Sequence, residues 1–427
     1  NWTFASSEYG TVNLRPYLVI NYTPPAVPVI TSNGGGASAS VLVNENSIAV
    51  TTVTATDADS SPAELSYRIV GGDDQARFTI NATTGVLRFI SAPDHEAPSD
   101  VGGDNIYDVI VEVSDGFVAD TQAIAVTVSN VNETPSFTSL GGTVIYTEDS
   151  APAVIDSDVS IFDPELSADN NFSGATLTLT RSGGANALDN FSASGNLAAL
   201  TEGGSLLLGG VNMGIVTTNT AGTLSLTFNA NATQLRVNEV INSLAYANAS
   251  NTPPSSVQIT WVFNDNNAGA QGSGGALSAS GSSTVNITAT NDAPIASNLN
   301  AAQSYTEDTA LTLTPIVVSD VDNATVTVTL TLSDTAAGSL TTGTSGAVTS
   351  TFVGGVWAAS GAVGDVNALL ASLSFTPSLD YNSPFTIATS VSDGSATLSG
   401  SKLMSGVAVN DAPIASNLNA AQSYTED

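Results

Sequence analysis

Acidic side chains recur along this chain in one fixed order. A lone glutamate follows an apolar, strand-like run in VLVNEN, VIYTEDS and QSYTEDT. A close pair of acids comes next, and a single aspartate in VSDG or FNDN closes each segment. The residues are Glu45, Asp57, Asp59 and Asp115, then Glu148, Asp163, Glu165 and Asp265, then Glu307, Asp320, Asp322 and Asp393. Carboxylates without basic partners are typical ligands of Ca²⁺, which takes about six to eight oxygens.

The balance of charge favours a cation as partner and excludes two other classes. The 427-residue chain has 39 acidic residues and seven basic ones, so its formal net charge is −32. Nucleic acid and anionic membrane surfaces are excluded as partners because both require clustered basic residues. Charged residues make up only 11% of the chain, so the acids do not form a general solvating coat. The alternatives to calcium are an acidic surface that aids solubility and acids that cap turns locally.

The elements that would position these acids are predicted to be β-strands. Thr, Ser, Val, Ala, Asn and Gly dominate the composition, which favours short strands and turns. Segments such as IAVTV at 124–128 alternate with a period of two, so one face is expected to be buried. Two patches, 231–244 and 364–373, have apolar residues at helical spacing and predict short helix-like crossovers. The predicted fold class is therefore all-β, with Trp261 in a sandwich core.

Two absences narrow how the chain is stabilised and where it sits. It has no cysteine, so its domains must rely on their cores or on metal rather than on disulfides. No run reaches the roughly 18 apolar residues that a membrane span needs, so no span is predicted in this segment.

Proline and Asn-Asp punctuation divides the chain into segments of β-sandwich size. The last 18 residues, NDAPIASNLNAAQSYTED, repeat residues 291–308 letter for letter. This repeat predicts a slice of a longer tandem array. The predicted divisions are 1–24, a Pro/Gly linker at 25–38, modules at 39–134, 135–293 and 294–412, and the start of a further repeat at 413–427.

The motifs of residues 39–137 resemble a cadherin repeat. RFTINATTGVLRFI matches its strand–turn–strand, and NEN, DAD, PDHE, VSDG and VNETP stand in cadherin order. Residues 135–412 resemble the cadherin-like repeats of large bacterial surface adhesins through YTED, the paired acids and NDAP. Residues 2–22 resemble the C-terminal strands of a disaggregatase-related (DNRLRE-type) jelly roll, a class linked to carbohydrate binding. The resemblance implies tandem Ig-like/cadherin-like β-sandwich domains in an extended array.

The resemblance further implies that calcium is shared between successive modules. One module's lower rim, the linker and the next module's upper rim would each supply ligands. At the first junction these are Glu45, Asp94 and Glu96, then Asn130, Asn132 and Glu133, then Asp163, Glu165 and Asp265. Asn130 and Glu133 replace aspartates of the family pattern and Thr134 replaces an asparagine, so the number of ions there stays open.

The other junctions are expected to be simpler. The second would use Glu148, then Asn291 and Asp292, then Asp320, Asp322 and Asp393. It lacks a clear counterpart of the Asp94-His95-Glu96 motif, so one ion is expected rather than three. The third would use Glu307, Asn410 and Asp411. Asp57, Asp59 and Asp115 face a proline linker without acids, so a site there would be empty or completed by water.

The predicted function is that of a calcium-rigidified stalk segment of a large extracellular surface protein or adhesin, which spaces or presents a distal binding domain. One alternative is a subunit of an extracellular filament assembled through β-strand exchange by residues 12–22. Another is a carbohydrate-binding surface module. Partners through other parts of the protein would be cell-surface glycans or proteins, or further copies of the chain.

An enzyme is not predicted. Paired carboxylates such as Asp94 and Glu96 could serve glycoside hydrolysis, but they lie in motifs that calcium already explains. The one histidine, His95, lies between those two acids, where it is expected to be an exposed spacer rather than a general base.

Overall fold

The computed structural model of the chain describes residues 21–416, 419 and 421–426. Strands and three short α-helices surround three separate hydrophobic cores in that part of the chain. We call the units around these cores the first module (29–129), the second module (136–288) and the third module (295–407). The predicted all-β fold class is confirmed. The jelly-roll resemblance at 2–22 and the strand pair at 12–22 lie almost entirely outside the described residues.

The first module is a sandwich of a four-stranded sheet, β2-β9-β8-β5, and a three-stranded sheet, β3-β7-β6, with β1 paired to β4. Its strands are β1 (Val29–Ile30), β2 (Ser38–Asn44), β3 (Ala49–Thr52), β4 (Ala55–Thr56), β5 (Ser66–Gly71), β6 (Phe78–Ile80), β7 (Val86–Phe89), β8 (Ile106–Ser114) and β9 (Ala119–Ser129). Phe78, Phe89 and Tyr107 pack against one another at the centre of its core.

The second module has a seven-stranded sheet, β11-β21-β20-β14-β18-β17-β16, and a three-stranded sheet, β12-β19-β15, with β10 paired to β13. Its strands are β10 (Ser136–Thr138), β11 (Thr143–Thr147), β12 (Ala153–Val154), β13 (Ser160–Phe162), β14 (Thr176–Arg181), β15 (Asp189–Ala193), β16 (Ser205–Leu208), β17 (Val211–Thr220), β18 (Thr223–Phe228), β19 (Leu244–Asn248), β20 (Ser256–Asn264) and β21 (Ser278–Thr288). Its helices are α1 (Pro164–Ala168) and α2 (Gln234–Ile241). Trp261 is fully buried in its core, as predicted.

The third module repeats this plan with a six-stranded sheet, β23-β34-β33-β26-β31-β30, and a three-stranded sheet, β24-β32-β27. Two further pairs are β22 with β25 and β28 with β29. Its strands are β22 (Ile295–Ser297), β23 (Gln303–Thr306), β24 (Leu311–Thr312), β25 (Val317–Ser319), β26 (Thr325–Leu332), β27 (Gly338–Leu340), β28 (Thr344–Ser345), β29 (Val348–Thr349), β30 (Thr351–Val353), β31 (Val356–Ala362), β32 (Ser374–Pro377), β33 (Phe385–Ser392) and β34 (Thr397–Val407). Its helix is α3 (Val363–Ala371).

Period-two sequence produces these strands because successive side chains point to opposite faces. In β26 the valines and leucines are buried, whereas the alternate threonines face outward and are exposed or half-buried. The two helix-like patches form α2 and α3, which bury Val237, Val240 and Ile241, and Val366, Leu369 and Leu370. The described residues contain no helix with the length and apolar character needed to cross a bilayer.

The predicted linker at 25–38 differs from the structure. Strand β1 pairs with β4, and Ile30 is only 1% exposed within the core of the first module. The Ile30 N–H also donates to Asp120 Oδ2 at 2.9 Å. The prolines and glycines that indicated a linker flank a short apolar strand, and burial of its isoleucine fixes that strand to the module.

One feature of the topology brings the lone glutamates to the module junctions. Strands β2, β11 and β23 run parallel to the last strand of their modules, β9, β21 and β34. Each glutamate follows directly at the end of this pairing, and its N–H donates to the last strand. The three bonds are Glu45 to Ser129 O (3.1 Å), Glu148 to Thr288 O (2.9 Å) and Glu307 to Val407 O (3.1 Å). The glutamate therefore lies where the chain leaves the module.

A buried ion pair joins the two sheets of the second module. Arg181 on β14 donates to both carboxylate oxygens of Asp189 on β15, at 2.8 and 2.6 Å. Tyr246 Oη and Asn248 Nδ2 on β19 also donate to Asp189 Oδ1, at 2.5 and 2.9 Å. Because Asp189 is only 2% exposed, these four groups depend on one another for hydrogen bonding.

Asp189→Ala is expected to lower the free energy of unfolding of the second module by about 3–5 kcal/mol, since it leaves the half-buried Arg181 cation and the buried Tyr246 and Asn248 donors without their shared acceptor. The control is Arg68→Ala, which removes a pair with Glu112 in which the arginine side chain is 71% exposed. That change should lower stability far less, because solvent screens an exposed ion pair. Native-state hydrogen exchange, read separately for each module, measures both. Equal small losses would show that the buried pair contributes no more than the surface pair.

Candidate metal centres at the module junctions

The lone glutamates bind the chain as it leaves each module. Their side chains are at most 4% exposed, and each accepts a hydrogen bond from the backbone two residues beyond the last strand. The bonds are Val131 N–H to Glu45 Oε1 (2.7 Å), Thr290 N–H to Glu148 Oε2 (2.9 Å) and Val409 N–H to Glu307 Oε1. The same contact in all three modules fixes the first residues of each linker.

The paired acids and closing aspartates use one oxygen to cap a turn. Asp57, Asp163 and Asp320 accept backbone N–H groups through Oδ1, at distances from 2.7 to 3.0 Å. Asp115, Asp265 and Asp393 do the same, at 2.6 to 3.0 Å. The alternative prediction that these acids cap turns is thus correct for one carboxylate oxygen of each of the six aspartates. The other oxygen, Oδ2, is buried and has no hydrogen-bond partner in Asp57, Asp163 and Asp320.

The linkers contact the rim of the following module in a repeated pattern. A backbone N–H donates to the second acid of the pair, in Glu133 to Glu165 Oε1 (2.8 Å) and in Asp292 to Asp322 Oδ2 (2.6 Å). Ala26 N–H makes the same contact with Asp59 Oδ2 at 3.0 Å. The linker asparagines donate to the closing aspartates, from Asn132 to Asp265 Oδ2 (2.8 Å) and from Asn291 to Asp393 Oδ2 (2.8 Å). The linker is therefore joined to upper-rim acids at both complete junctions, through Glu165 and Asp265 at the first and through Asp322 and Asp393 at the second.

The first junction has the larger set of unsatisfied oxygens. Glu45, Glu96 and Glu133 place carboxylate oxygens within 4.8 Å of one another. Six buried oxygens there have no hydrogen-bond partner: Glu96 Oε2, Asn130 Oδ1, Asn132 Oδ1, Glu133 Oε2, Asp163 Oδ2 and Glu165 Oε2. Within the described residues, arginine and lysine form ion pairs with acids only at Arg68–Glu112 and Arg181–Asp189. Buried oxygens without partners are costly, so this donor set fits a hard cation that accepts oxygen ligands.

The electrostatics of the first junction show the cost of gathering these acids. Burial raises the pKa of Glu165 to about 7, and the Asp163 and Glu133 carboxylates add to the effect. Burial likewise raises the pKa values of Glu96, Glu133 and Asp163, each with a further contribution from neighbouring carboxylates. Like charges in a partly buried site favour protonation or a bound cation. Asp94 is exposed and caps a turn through Ala97 N–H (3.0 Å), and its charge contributes to the raised pKa of Glu133.

His95 does more than separate two ligands, contrary to the sequence prediction. Its backbone N–H donates to Glu45 Oε2 at 2.7 Å, and its half-buried ring lies 3.3 Å from Glu96 Oε1. Asn46, which the sequence analysis passed over, contacts Glu133 Oε1 through Nδ2. Its position directly after Glu45 in NEN was the available signal.

The second junction offers fewer oxygens and is more open. Its unpartnered buried oxygens are Glu148 Oε1, Asp292 Oδ2 and Asp320 Oδ2. Asp322 is exposed, whereas the corresponding Glu165 of the first junction is buried. Desolvation and the Asp322, Asp149 and Asp320 carboxylates raise the pKa of Asp292.

Two further acid clusters lie outside the complete junctions. Asp57, Asp59 and Asp115 place oxygens within 4.8 Å of one another at the upper rim of the first module. Asp308, Asp380 and Asp411 form a similar, exposed cluster below the third module, and Asp380 raises the pKa of Asp411. Asn382 Nδ2 donates to Glu307 Oε2 there at 2.6 Å, and Asn410 Nδ2 donates to the Asp411 carbonyl at 3.3 Å.

Sequence reasoning missed Asp308 and Asp380 as members of that third cluster. Asp308 directly follows Glu307 in YTED, and Asp380 lies in LDYN, where PDHE places Asp94 in the first module. Asp149, the counterpart of Asp308 at the second junction, was missed in the same way. For Asp149 and Asp308 the signal was their position directly after Glu148 and Glu307, whereas Asp380 lay in no motif already identified.

Comparison with known proteins agrees with the resemblance of the first module. Residues 39–131 match the cadherin domain. The mouse protein protocadherin Fat 4 is 36% identical to the chain over 95 residues, which is 22% of the present chain and 2% of that protein. The chain thus spans a very small part of the curated relative it matches.

Solved structures of cadherin ectodomains are also similar to the chain. Protocadherin Gamma B2 extracellular cadherin domains 1-5 align with 91% of this chain and 61% of that one, at 16% identity and a TM-score of 0.37. Mouse Cadherin-23 EC22-24 aligns with 90% of this chain and all of that one, at 14% identity and a TM-score of 0.37.

Proposed function

We propose that this chain is a calcium-rigidified stalk segment of a large extracellular surface protein, of the bacterial adhesin type, which spaces or presents a distal binding domain. The observation that carries the proposal is the recurrent carboxylate with one oxygen capping a turn and the other buried without a partner. Asp163 and Asp320 carry it at the two complete junctions, next to a linker that is already hydrogen-bonded to both flanking modules.

Calcium suits these junctions for a physical reason. The ion takes about six to eight oxygens at roughly 2.3–2.6 Å, more than one carboxylate pair can supply. Lower-rim, linker and upper-rim residues together would hold it at the first junction. The ion would supply positive charge to acids whose mutual repulsion otherwise opposes alignment of the modules. The upper-rim cluster of Asp57, Asp59 and Asp115 faces Ala26 in place of an acidic linker residue, so it would hold an ion only with water.

Titration calorimetry of calcium into chelator-treated protein tests the proposal directly. Extracellular modules typically bind calcium at about 10⁻⁴–10⁻³ M. At a hundredfold excess over that constant, one bound ion would stabilise the fold by about 2.7 kcal/mol. Absence of binding heat, together with a melting temperature that calcium does not change, would rule the proposal out.

Asp320→Ala combined with Asp322→Ala is expected to increase bending between the second and third modules in calcium, because it removes the upper-rim ligands of that junction. Neither module should unfold, since Asp322 is exposed and Asp320 is only half-buried in the turn between β25 and β26. Small-angle scattering should show a smaller maximum dimension and a broader distance distribution than the parent protein. The control, Glu202→Ala with Glu239→Ala, removes the same charge from exposed sites of the second module. If the two double variants scatter alike, calcium does not stiffen this seam through Asp320 and Asp322.

A further inference from the structure

A glycine-rich loop of the second module lies against the first linker. We call residues 266–276, between β20 and β21, the strap. The equivalent turns of the first and third modules are much shorter, at 115–118 and 393–396. The strap has no counterpart at the second junction.

The strap pairs with the linker through the backbone. Ser273 N–H donates to Asn130 O at 3.0 Å, and Asn132 N–H donates to Ser273 O at 2.9 Å, which forms a parallel bridge centred on Val131. Asn132 Nδ2 also donates to Gly275 O at 3.0 Å. These contacts involve the two linker asparagines that would ligate calcium, and they require no metal to form.

The strap is itself held in place by buried polar side chains. Gln271 Nε2 donates to Asp265 O at 3.1 Å, and Asn267 Oδ1 accepts the Gln271 N–H at 3.1 Å. Asn267 and Gln271 are 7% and 9% exposed. The strap is therefore anchored to the same β20 end that carries Asp265.

Contact with the linker depends on one glycine. Gly272 has φ +94°, and a Cβ there would lie 1.8 Å from Asn130 Oδ1 and 2.8 Å from the Asn130 carbonyl carbon. Gly269 in the same strap has φ +107°, but a Cβ there would meet nothing within 4 Å. A side chain at either glycine would therefore have the same cost from the positive φ, but only a side chain at Gly272 would also clash with the linker.

We infer that the strap is a positioning element that aligns the first seam before any ion binds, so that the first junction holds calcium longer than the second. The claim that the first junction holds calcium longer rests on the proposed function. The claim that the strap aligns the first seam rests on the backbone contacts alone. As calcium falls, the second seam loosens first, and the array bends at the junction between the second and third modules.

Gly272→Ala tests this, with Gly269→Ala as the matched control. The chain has no cysteine, so label pairs on engineered exposed cysteines can report distances across each seam. In excess chelator, the parent protein and Gly269→Ala should keep a narrow distance distribution across the first seam and a broad one across the second. Gly272→Ala should broaden the first seam without changing the second. A broad first seam in the parent, or identical distributions for the two alanine variants, would overturn the inference.

Calcium release gives the second measurement. Rapid mixing of calcium-loaded protein with chelator should show a fast and a slow phase, and Gly272→Ala should accelerate the slow phase at least about tenfold through the loss of two to three backbone contacts. Ser273→Pro removes both the N–H and the hydroxyl that donate to Asn130 O and restricts φ at that position, so it should act in the same direction. If no calcium is bound, the proposed function fails while the distances in chelator still decide the role of the strap. A slow phase that neither variant changes would contradict the inference.

Discussion

Glu165→Gln is expected to raise the melting temperature of the calcium-free protein and to reduce the further rise that calcium gives. Glu165 is 4% exposed, has an unpartnered Oε2 and lies beside the Asp163 and Glu133 carboxylates. The amide keeps an oxygen that can accept the Glu133 N–H but carries no charge. Removal of a buried charge relieves repulsion in the apo state, and the same removal takes one anionic ligand from the proposed ion.

Differential scanning calorimetry in chelator and in millimolar calcium measures both effects in one pair of samples. Loss of this anionic ligand is expected to lower the calcium affinity of the first junction about tenfold or more. A tenfold loss corresponds to about 1.4 kcal/mol of binding free energy. Asp169→Asn is the control, because it removes a charge from the exposed end of the same helix. A variant that is less stable than the parent in chelator would show that Glu165 is held by hydrogen bonds rather than strained by its neighbours.

The rim of the module on which each acid lies could be predicted from the sequence, because the strand topology determines the rim at which each part of the chain ends. A parallel pairing of the early strand with the last strand brings Glu45, Glu148 and Glu307 to the exit of their modules. Short turns after buried strands bring Asp320 and Asp393 to the opposite rim. The resemblance to cadherin repeats implied these placements, and the strand topology gives the physical reason for them.

The strap and the third cluster could not be predicted in the same way. A loop of glycine and small polar residues carries no periodic signal, and its contact with Asn130 depends on the linker folding back against it. Asp380 reaches Asp411 across a junction whose geometry is set by several elements at once. The prolines and glycines around Ile30 predicted a linker, so the sequence analysis did not identify the buried strand β1 of the first module. Each of these positions was missed because its role depends on contacts with segments that are distant in sequence.

The sequence analysis treated turn capping and metal binding as alternatives for these aspartates, but the two are not mutually exclusive. A carboxylate has two oxygens, and at Asp57, Asp163 and Asp320 the first is fixed by backbone N–H groups of its own turn. This bond sets the direction of the second oxygen, which is buried without a partner. Turn capping is therefore compatible with the proposed metal ligation, because the two interactions would use different oxygens of the same side chain.

The calcium-free protein is expected to lose stability as the pH rises from about 4.5 to about 7. The folded state raises the pKa of Glu165 from 4.5 to about 7, so it holds that proton more tightly than the unfolded chain does. Stability from such a group is complete below the unfolded pKa and is lost as the pH rises through the folded one. The raised pKa values of Glu96, Glu133 and Asp163 act in the same direction.

Calcium should reverse this trend, because the ion competes with protons for the same oxygens and binds better as the acids ionise. Melting temperatures measured between pH 5 and pH 7.5 should fall in chelator and rise in calcium. Glu165→Gln should flatten the slope in chelator, whereas Asp169→Asn should leave it unchanged. A stability in chelator that rises over this range would mean that the acids of the first junction ionise freely on folding, and that no ion is needed to hold them together.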